Sequence, residues 1–215
     1  MTPPYFDYAI KTGVTSSPGT QTVDDFEDND LAEYQGDTGV ASTQSGVVKD
    51  GSYALELSGD PDGSTKPKFP TIKSYSGLPT YPEKGDTIEI WVRIENAGVD
   101  AQVWFGVQSG SSNSYNALLR DDVEDIAIFK RGENTVLDSD PVTISTETWY
   151  RMKIQWKSNS DIIYELFDTS GSNLATAAAQ DGTFSSGGVG FQTNSGGGDS
   201  GLDTVSAYYD SYALI

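Results

Sequence analysis

The chain has 215 residues, 36% of them hydrophobic, and its 32 acidic against 13 basic side chains give a formal net charge of −19. Such a surface repels phosphate backbones, which argues against nucleic acid as a partner, and no run approaches the roughly 18 apolar residues of a membrane-spanning helix. Cysteine and histidine are both absent, which excludes disulfides, thiolate or imidazole metal sites, and triads that need histidine.

Residues 1–22 are rich in Pro, Thr and Ser, with Tyr5, Phe6, Tyr8 and Ile10 near the front. This composition predicts an extended arm outside the main core, its aromatic cluster docking on a neighbouring subunit. No basic region followed by an apolar stretch opens the chain, so no Sec-type signal is visible.

From Val23 onward the pattern is strand and turn. The run "VDDFEDNDLAEYQGDTGV", residues 23–40, sets seven carboxylates around Phe26, Leu31 and Tyr34. "SGVVKDGSYALELSGD" places two apolar runs about Lys49-Asp50-Gly51, a hairpin signal. "DTIEIWVRIE" alternates, with Ile88, Ile90, Val92 and Ile94 on one face and Glu89, Trp91, Arg93 and Glu95 on the other. "AQVWFGVQ" repeats the device, Val103, Phe105 and Val107 opposing Gln102, Trp104 and Gln108. Further strands are expected in "YNALLRDD", in "DIAIFKRGENTVLD" with a turn at Gly132, and in "WYRMKIQW", whose Tyr150, Met152, Ile154 and Trp156 face inward. "DIIYELFDTSGSNLATAAA" predicts a hairpin turning at Ser170-Gly171. Its "LATAAAQ" has helical propensity but is short and flanked by turn residues, so it reads as strand. "GGVGFQTN" and "VSAYYDSYALI" close the series. About a dozen short strands without a convincing helix predict an antiparallel two-sheet sandwich of residues 23–215.

The carboxylates are scattered among ordinary strand patterns and do not form one tail. In molar salt the Debye length falls to about 3 Å and such self-repulsion is screened. The composition therefore reads as salt-adapted, the alternative being an ordinary acidic extracellular domain.

Taken in order, "VDDFEDNDLAEYQGD", "DGSYALELSG", "TIEIWVRI", "ETWYRMKIQW", "YELFDTSGSNLATAAA", "GGVGFQT" and "YYDSYALI" resemble the concanavalin A-like lectin/glucanase (laminin-G-like) sandwiches. The versions they look most like are those of haloarchaeal secreted and virus-associated proteins. The resemblance covers about residues 23–215 and implies a jelly-roll fold. It spans lectins, hydrolases, lyases and structural modules, so it leaves the activity open. It also implies a structural Ca²⁺ near the joined termini, with Asp25, Asp28 and Asp210 as the oxygen ligands it picks out. No D-x-D-x-D-G loop supports that ion.

The hydrolases of this superfamily place carboxylates two residues apart on one strand, commonly as Glu-x-Asp-x-Glu. "RDDVEDIAIF" has Asp122 and Glu124 in phase but then Ile126, and "TIEIWVRIE" has Glu89 and then Trp91 and Arg93. Lyases of this shape rely on a histidine or tyrosine base, and histidine is missing. The expectation is therefore a protein that is not an enzyme. Sugar binding without turnover needs flat aromatic faces and planar polar groups. Trp91, Arg93, Gln102, Trp104 and Gln108 fall on the polar-phase face of two consecutive strands, which are expected to pair as neighbours, and Arg120 on the next strand joins them if its parity holds. The competing reading is that a loop or subunit covers these tryptophans, or that they sit in a second core layer.

Three roles remain: a glycan-binding module, a virion structural or adhesion protein of a haloarchaeal tailed virus, and an appended module of a secreted hydrolase. The sequence favours a combination of the first two, acting at a virion or extracellular surface in high salt. The expected partners are a host-surface glycan or glycoprotein and, through residues 1–22, its own subunits or other virion proteins in a homo-oligomer.

Overall fold

The computed structural model describes residues 19–60, 63, 66–195 and 204–215, with the backbone alone at Ser195. Most of the expected arm, including its aromatic cluster, lies outside the described residues. The strands in chain order are β1 (Gln21–Asp24), β2 (Gln35–Gly36), β3 (Ala41–Gln44), β4 (Ala54–Gly59), β5 (Thr71–Ser74), β6 (Thr87–Ile94), β7 (Val99–Val107), β8 (Tyr115–Arg120), β9 (Asp125–Lys130), β10 (Thr135–Pro141), β11 (Thr148–Trp156), β12 (Asp161–Phe167), β13 (Asn173–Gln180), β14 (Gly188–Ser195) and β15 (Val205–Leu214). They form two antiparallel sheets. One has the order β13-β12-β11-β6-β15-β4-β3, with β1 also pairing β15; the other runs β10-β9-β8-β7-β14-β5-β2. Among the described residues no helix is long and apolar enough to cross a membrane.

The alternation read from sequence sets the core. Ile88, Ile90, Val92 and Ile94 of β6 and Met152, Ile154 and Trp156 of β11 are fully buried between the sheets, where period-two strands place one face. Phe105 and Tyr115 meet Trp156 edge-on from the opposite sheet, at ring-centroid distances of 5.3 and 5.9 Å. Phe191 fills the other end, packing on Phe26, Tyr34 and Tyr209. Phe26 and Tyr34 from the acidic run are thus core anchors. The Tyr209 hydroxyl crosses the core to donate to the Gln192 carbonyl at 2.7 Å.

Three local expectations are refined. "LATAAAQ" is strand β13, and its outward amides at Thr176 and Ala178 donate to the carboxylates of Asp140 (2.8 Å) and Asp138 (2.7 Å) on β10. Tertiary pairing thus overrides local helical preference. The hairpin near Asp50-Gly51 exists as β3–β4, but Val47 and Val48 are not in its strands. The Gln44 side chain instead wraps the loop, accepting from the Gly46 and Val47 amides.

The third concerns pairing. β6 and β7 do not lie side by side: β6 pairs with β11 and β15, and β7 with β8 and β14. The short link between them is a corner from one sheet to the other. Gly98, at φ +74°, makes that corner, its amide held by the Asp121 carboxylate at 2.6 Å. Glu95 meanwhile still donates its amide to Ser206, extending the other sheet. Both strands bury one apolar face, so alternation by itself fits either a hairpin or a corner.

Candidate functional site

The sheet that buries Val103, Phe105, Tyr115 and Phe191 inward turns a row of different chemistry outward. Cross-strand register aligns Gln35, Lys73, Gly190, Trp104, Asn116 and Phe129 in one line across β2, β5, β14, β7, β8 and β9. The next outward row holds Thr71, Gln192, Gln102, Leu118 and Ala127.

Trp104 faces outward yet is 1% exposed. The Arg131 guanidinium lies 4.9 Å from its ring centroid and the Lys73 ammonium 5.9 Å, both within cation–π range. Beneath them is a floor of buried amides. Asn116 is best satisfied with its oxygen toward the Trp104 indole N–H at 2.9 Å and its nitrogen toward Ser114 Oγ at 2.7 Å; the Gln102 amide is 3.0 Å away. Gln192 donates to Thr71 Oγ1 at 2.7 Å and accepts from Arg131 at 3.2 Å. Burial lowers the Arg131 pKa.

Beside this floor opens a cleft of about 320 Å³ lined by Gln35, Gly36, Lys73, Tyr75 and residues 110–112. Tyr75 is half-buried and donates its hydroxyl to the Ser111 carbonyl at 3.3 Å. Its ring needs Gly188: a Cβ there would sit 2.8 Å from the ring and 2.2 Å from the Ser74 carbonyl oxygen. The loop after β7 then joins the two parts, since Arg131 donates its amide to Ser114 at 2.9 Å. An aromatic rim, a cationic wall and an amide floor thus share one outer face.

Of the residues expected to form a platform, Gln102, Trp104 and Arg120 belong to this sheet. Arg120 makes a two-pronged ion pair with Asp125, at 2.7 and 2.6 Å. Gln108 ties the Gly106 and Ser186 carbonyls together at the end of β7. Trp91 and Arg93 lie on the outer face of the other sheet, and this corrects the expectation of one two-tryptophan surface. There Lys49 caps the Trp91 ring at 4.3 Å, and Arg93 pairs with Glu95 at 2.8 Å. Lys73, Tyr75, Asn116, Arg131 and Gln192 were not foreseen. The outward phase of Gly188, Gly190 and Gln192 in "GGVGFQTN" is the sequence signal that could have found part of this set.

At the far end of the same face Asp100 is buried, with one carboxylate oxygen lacking a partner. Burial, then the hydrogen-bonded carboxyl of Asp122, pushes its pKa up to about 8, against an opposing pull from Arg120.

Asp25, Asp28 and Asp210 do not form a group whose ligand atoms all lie within 4.8 Å of one another. Asp25 and Asp28 each cap a nearby amide, of Glu27 (3.3 Å) and Asp30 (3.2 Å). Asp210 accepts from the amides of Lys49 (2.7 Å) and Asp50 (3.1 Å) and from the Ser211 hydroxyl (3.0 Å). Both its oxygens thereby accept from protein donors. Among the described residues the acidic groups whose ligand atoms lie within 4.8 Å of one another are Asp28, Asp30 and Glu33, on the surface.

The two antiparallel sheets form a sandwich that matches lectin-like jelly-roll structures. Neither a family model nor a curated protein sequence matches the chain. Among solved structures it is similar to the cellulose-induced protein Cip1, at 14% identity and a TM-score of 0.60, covering 89% of this chain and 95% of that one. The carbohydrate-binding module CBM66 of Bacillus subtilis gives 16% identity and a TM-score of 0.54, covering 80% and 96%. The endo-β-1,4-glucuronan lyase of Trichoderma reesei gives 15% and 0.52, covering 81% and 85%. Identities this low establish the shared fold.

Proposed function

We propose that the protein is a non-catalytic carbohydrate-binding module whose site is the outer face of the sheet containing β7, entered through the cleft beside Tyr75. The observation that carries this reading is the convergence of the half-buried Tyr75 ring, the Lys73 ammonium and the amide-rich face around Trp104 on one open surface. Flat rings stack on sugar C–H groups while planar amides and cations pair with hydroxyls. The likeness to CBM66, named as a carbohydrate-binding module, supports a saccharide ligand. Absence of turnover is supported by the sequence, in which no Glu-x-Asp-x-Glu run occurs. The composition, with its net charge of −19, supports a high-salt exterior setting. There such a module would serve adhesion to a host-surface glycan as part of a virion appendage.

A glycan array followed by calorimetry tests the reading. Tyr75→Ala should lower affinity for the ligand found by about tenfold, the scale of one lost stacking contact, with an unchanged far-UV spectrum. Trp91→Ala, on the opposite face, should leave affinity unchanged. The reverse pattern would move the site to the other sheet.

A further inference from the structure

Resting on the carbohydrate-binding reading above, we infer that the saccharide taken on this face carries a carboxylate, which Arg131 receives and Lys73 supports.

The argument starts from charge economy. Acidic groups outnumber basic ones 32 to 13, so a cation near the surface has carboxylates on offer. Three of the four arginines take one: Arg93 with Glu95 at 2.8 Å, Arg120 with Asp125 at 2.6 Å and Arg151 with Glu89 at 3.4 Å. Arg131 has no carboxylate within 4.0 Å among the described residues; it rests on the Trp104 ring and reaches the neutral Gln192. Burial lowers its pKa with no anion to offset the shift. Taking a charge out of water without a counter-ion is costly, and in so acidic a protein a counter-ion would be a single substitution away.

Lys73 repeats the pattern. Its ammonium approaches the same indole, it is half-buried, and no carboxylate pairs with it among the described residues. Next to it in the register lies Gly190, which adds no side chain to the row between Lys73 and Trp104. A Cβ at Gly190 would stand 3.0 Å from Lys73 Cγ and 2.8 Å from the Ile72 carbonyl oxygen. The two cations thus flank one aromatic plate beside uncharged amides, and no carboxylate among the described residues pairs with either. A guanidinium beside a ring, with one nitrogen on Gln192, has further edge donors for a planar two-oxygen acceptor such as a carboxylate. A hydroxyl-only sugar would leave the cost of burying Arg131 unmatched. A uronate unit would match it.

The test is calorimetric titration with short oligouronates (β-1,4-glucuronate, α-1,4-galacturonate and β-1,4-mannuronate series) against their carboxyl-reduced, neutral counterparts. Short oligomers limit repulsion from the protein's own negative field. Binding of an oligouronate, at least about tenfold weaker for its reduced form, is expected. Arg131→Gln should remove that preference. Arg131→Lys keeps the charge and guards against loss of fold; it should retain a reduced preference. Equal binding of charged and neutral oligomers, unaltered in Arg131→Gln, would overturn the carboxylate and leave the module reading standing. Failure of every acidic and neutral glycan to bind would overturn both.

Discussion

Tyr209 and Gln192 connect the two sheets and the two sides of one of them. The Tyr209 hydroxyl, from β15, donates to the Gln192 backbone carbonyl at 2.7 Å and accepts the Gln102 amide at 3.2 Å. The Gln192 side chain, on the opposite side of its strand, accepts from Arg131. A core hydroxyl therefore fixes the backbone that aims the candidate site. Tyr209→Phe preserves ring packing on Phe191 but leaves a buried amide without that acceptor. It should cost about 1–3 kcal/mol in denaturant unfolding, and in calorimetry it should also weaken ligand binding, while a substitution such as Val136→Thr on the exposed β10 should change neither.

Asp100 makes stability fall as pH rises. Its folded pKa, about 8, stands above its ordinary value of 3.8, so between those values the folded chain holds a proton that the unfolded chain has lost. The stability this proton brings is complete below about pH 4 and is lost as pH rises through about 8. Asp24, raised to about 6 by burial, acts with the same sign between about pH 4 and 6. Asp100→Asn supplies a permanent donor toward Asp122. It should raise stability at pH 8 on the order of 2–4 kcal/mol and flatten the pH profile. A variant less stable than the parent at pH 8 would show that Asp100 is needed in its charged form.

Asp210 joins the last strand to the loop between β3 and β4. Because its oxygens accept from Lys49, Asp50 and Ser211, Asp210→Ala should lower stability by about 1–3 kcal/mol per buried donor left unmade. The melting temperature of the parent should not respond to a chelator. A fall of the melting temperature in chelator, restored by Ca²⁺, would assign these oxygens to an ion.

Self-repulsion of the net charge should make stability depend on salt. Between 0.1 and 1 M NaCl the Debye length falls from about 10 to about 3 Å, and the melting temperature should rise by several degrees on the scale of about 4 °C per kcal/mol. Differential scanning calorimetry across that series reads it directly. A flat response would remove the salt-adapted reading of the composition.

Where one face is wholly apolar, the sequence reports burial well: Ile88 to Ile94 and Tyr150 to Trp156 are inward as their alternation requires. It says less about which strands are neighbours. Trp91 and Trp104 have the same phase in consecutive strands, and a turn at Gly98 decides whether they share a surface. Arg131 escapes pattern reading for another reason. It sits in a one-turn 3₁₀ segment (Arg131–Glu133), where alternation assigns no face, and its role depends on Trp104 and Gln192, remote in sequence. The carboxylates of Asp25, Asp28 and Asp210 look alike in sequence, yet the first two cap neighbouring amides and the third fastens a loop.

The carboxylates of Asp138 and Asp140 on the amides of β13 bear on how copies of this chain meet. A free strand edge is a template on which another chain can extend a sheet. Here the outward N–H groups of Thr176 and Ala178 are already occupied, and an incoming strand would have to displace two charged acceptors to dock. That edge is closed to fibre-like growth by side chains of the molecule itself.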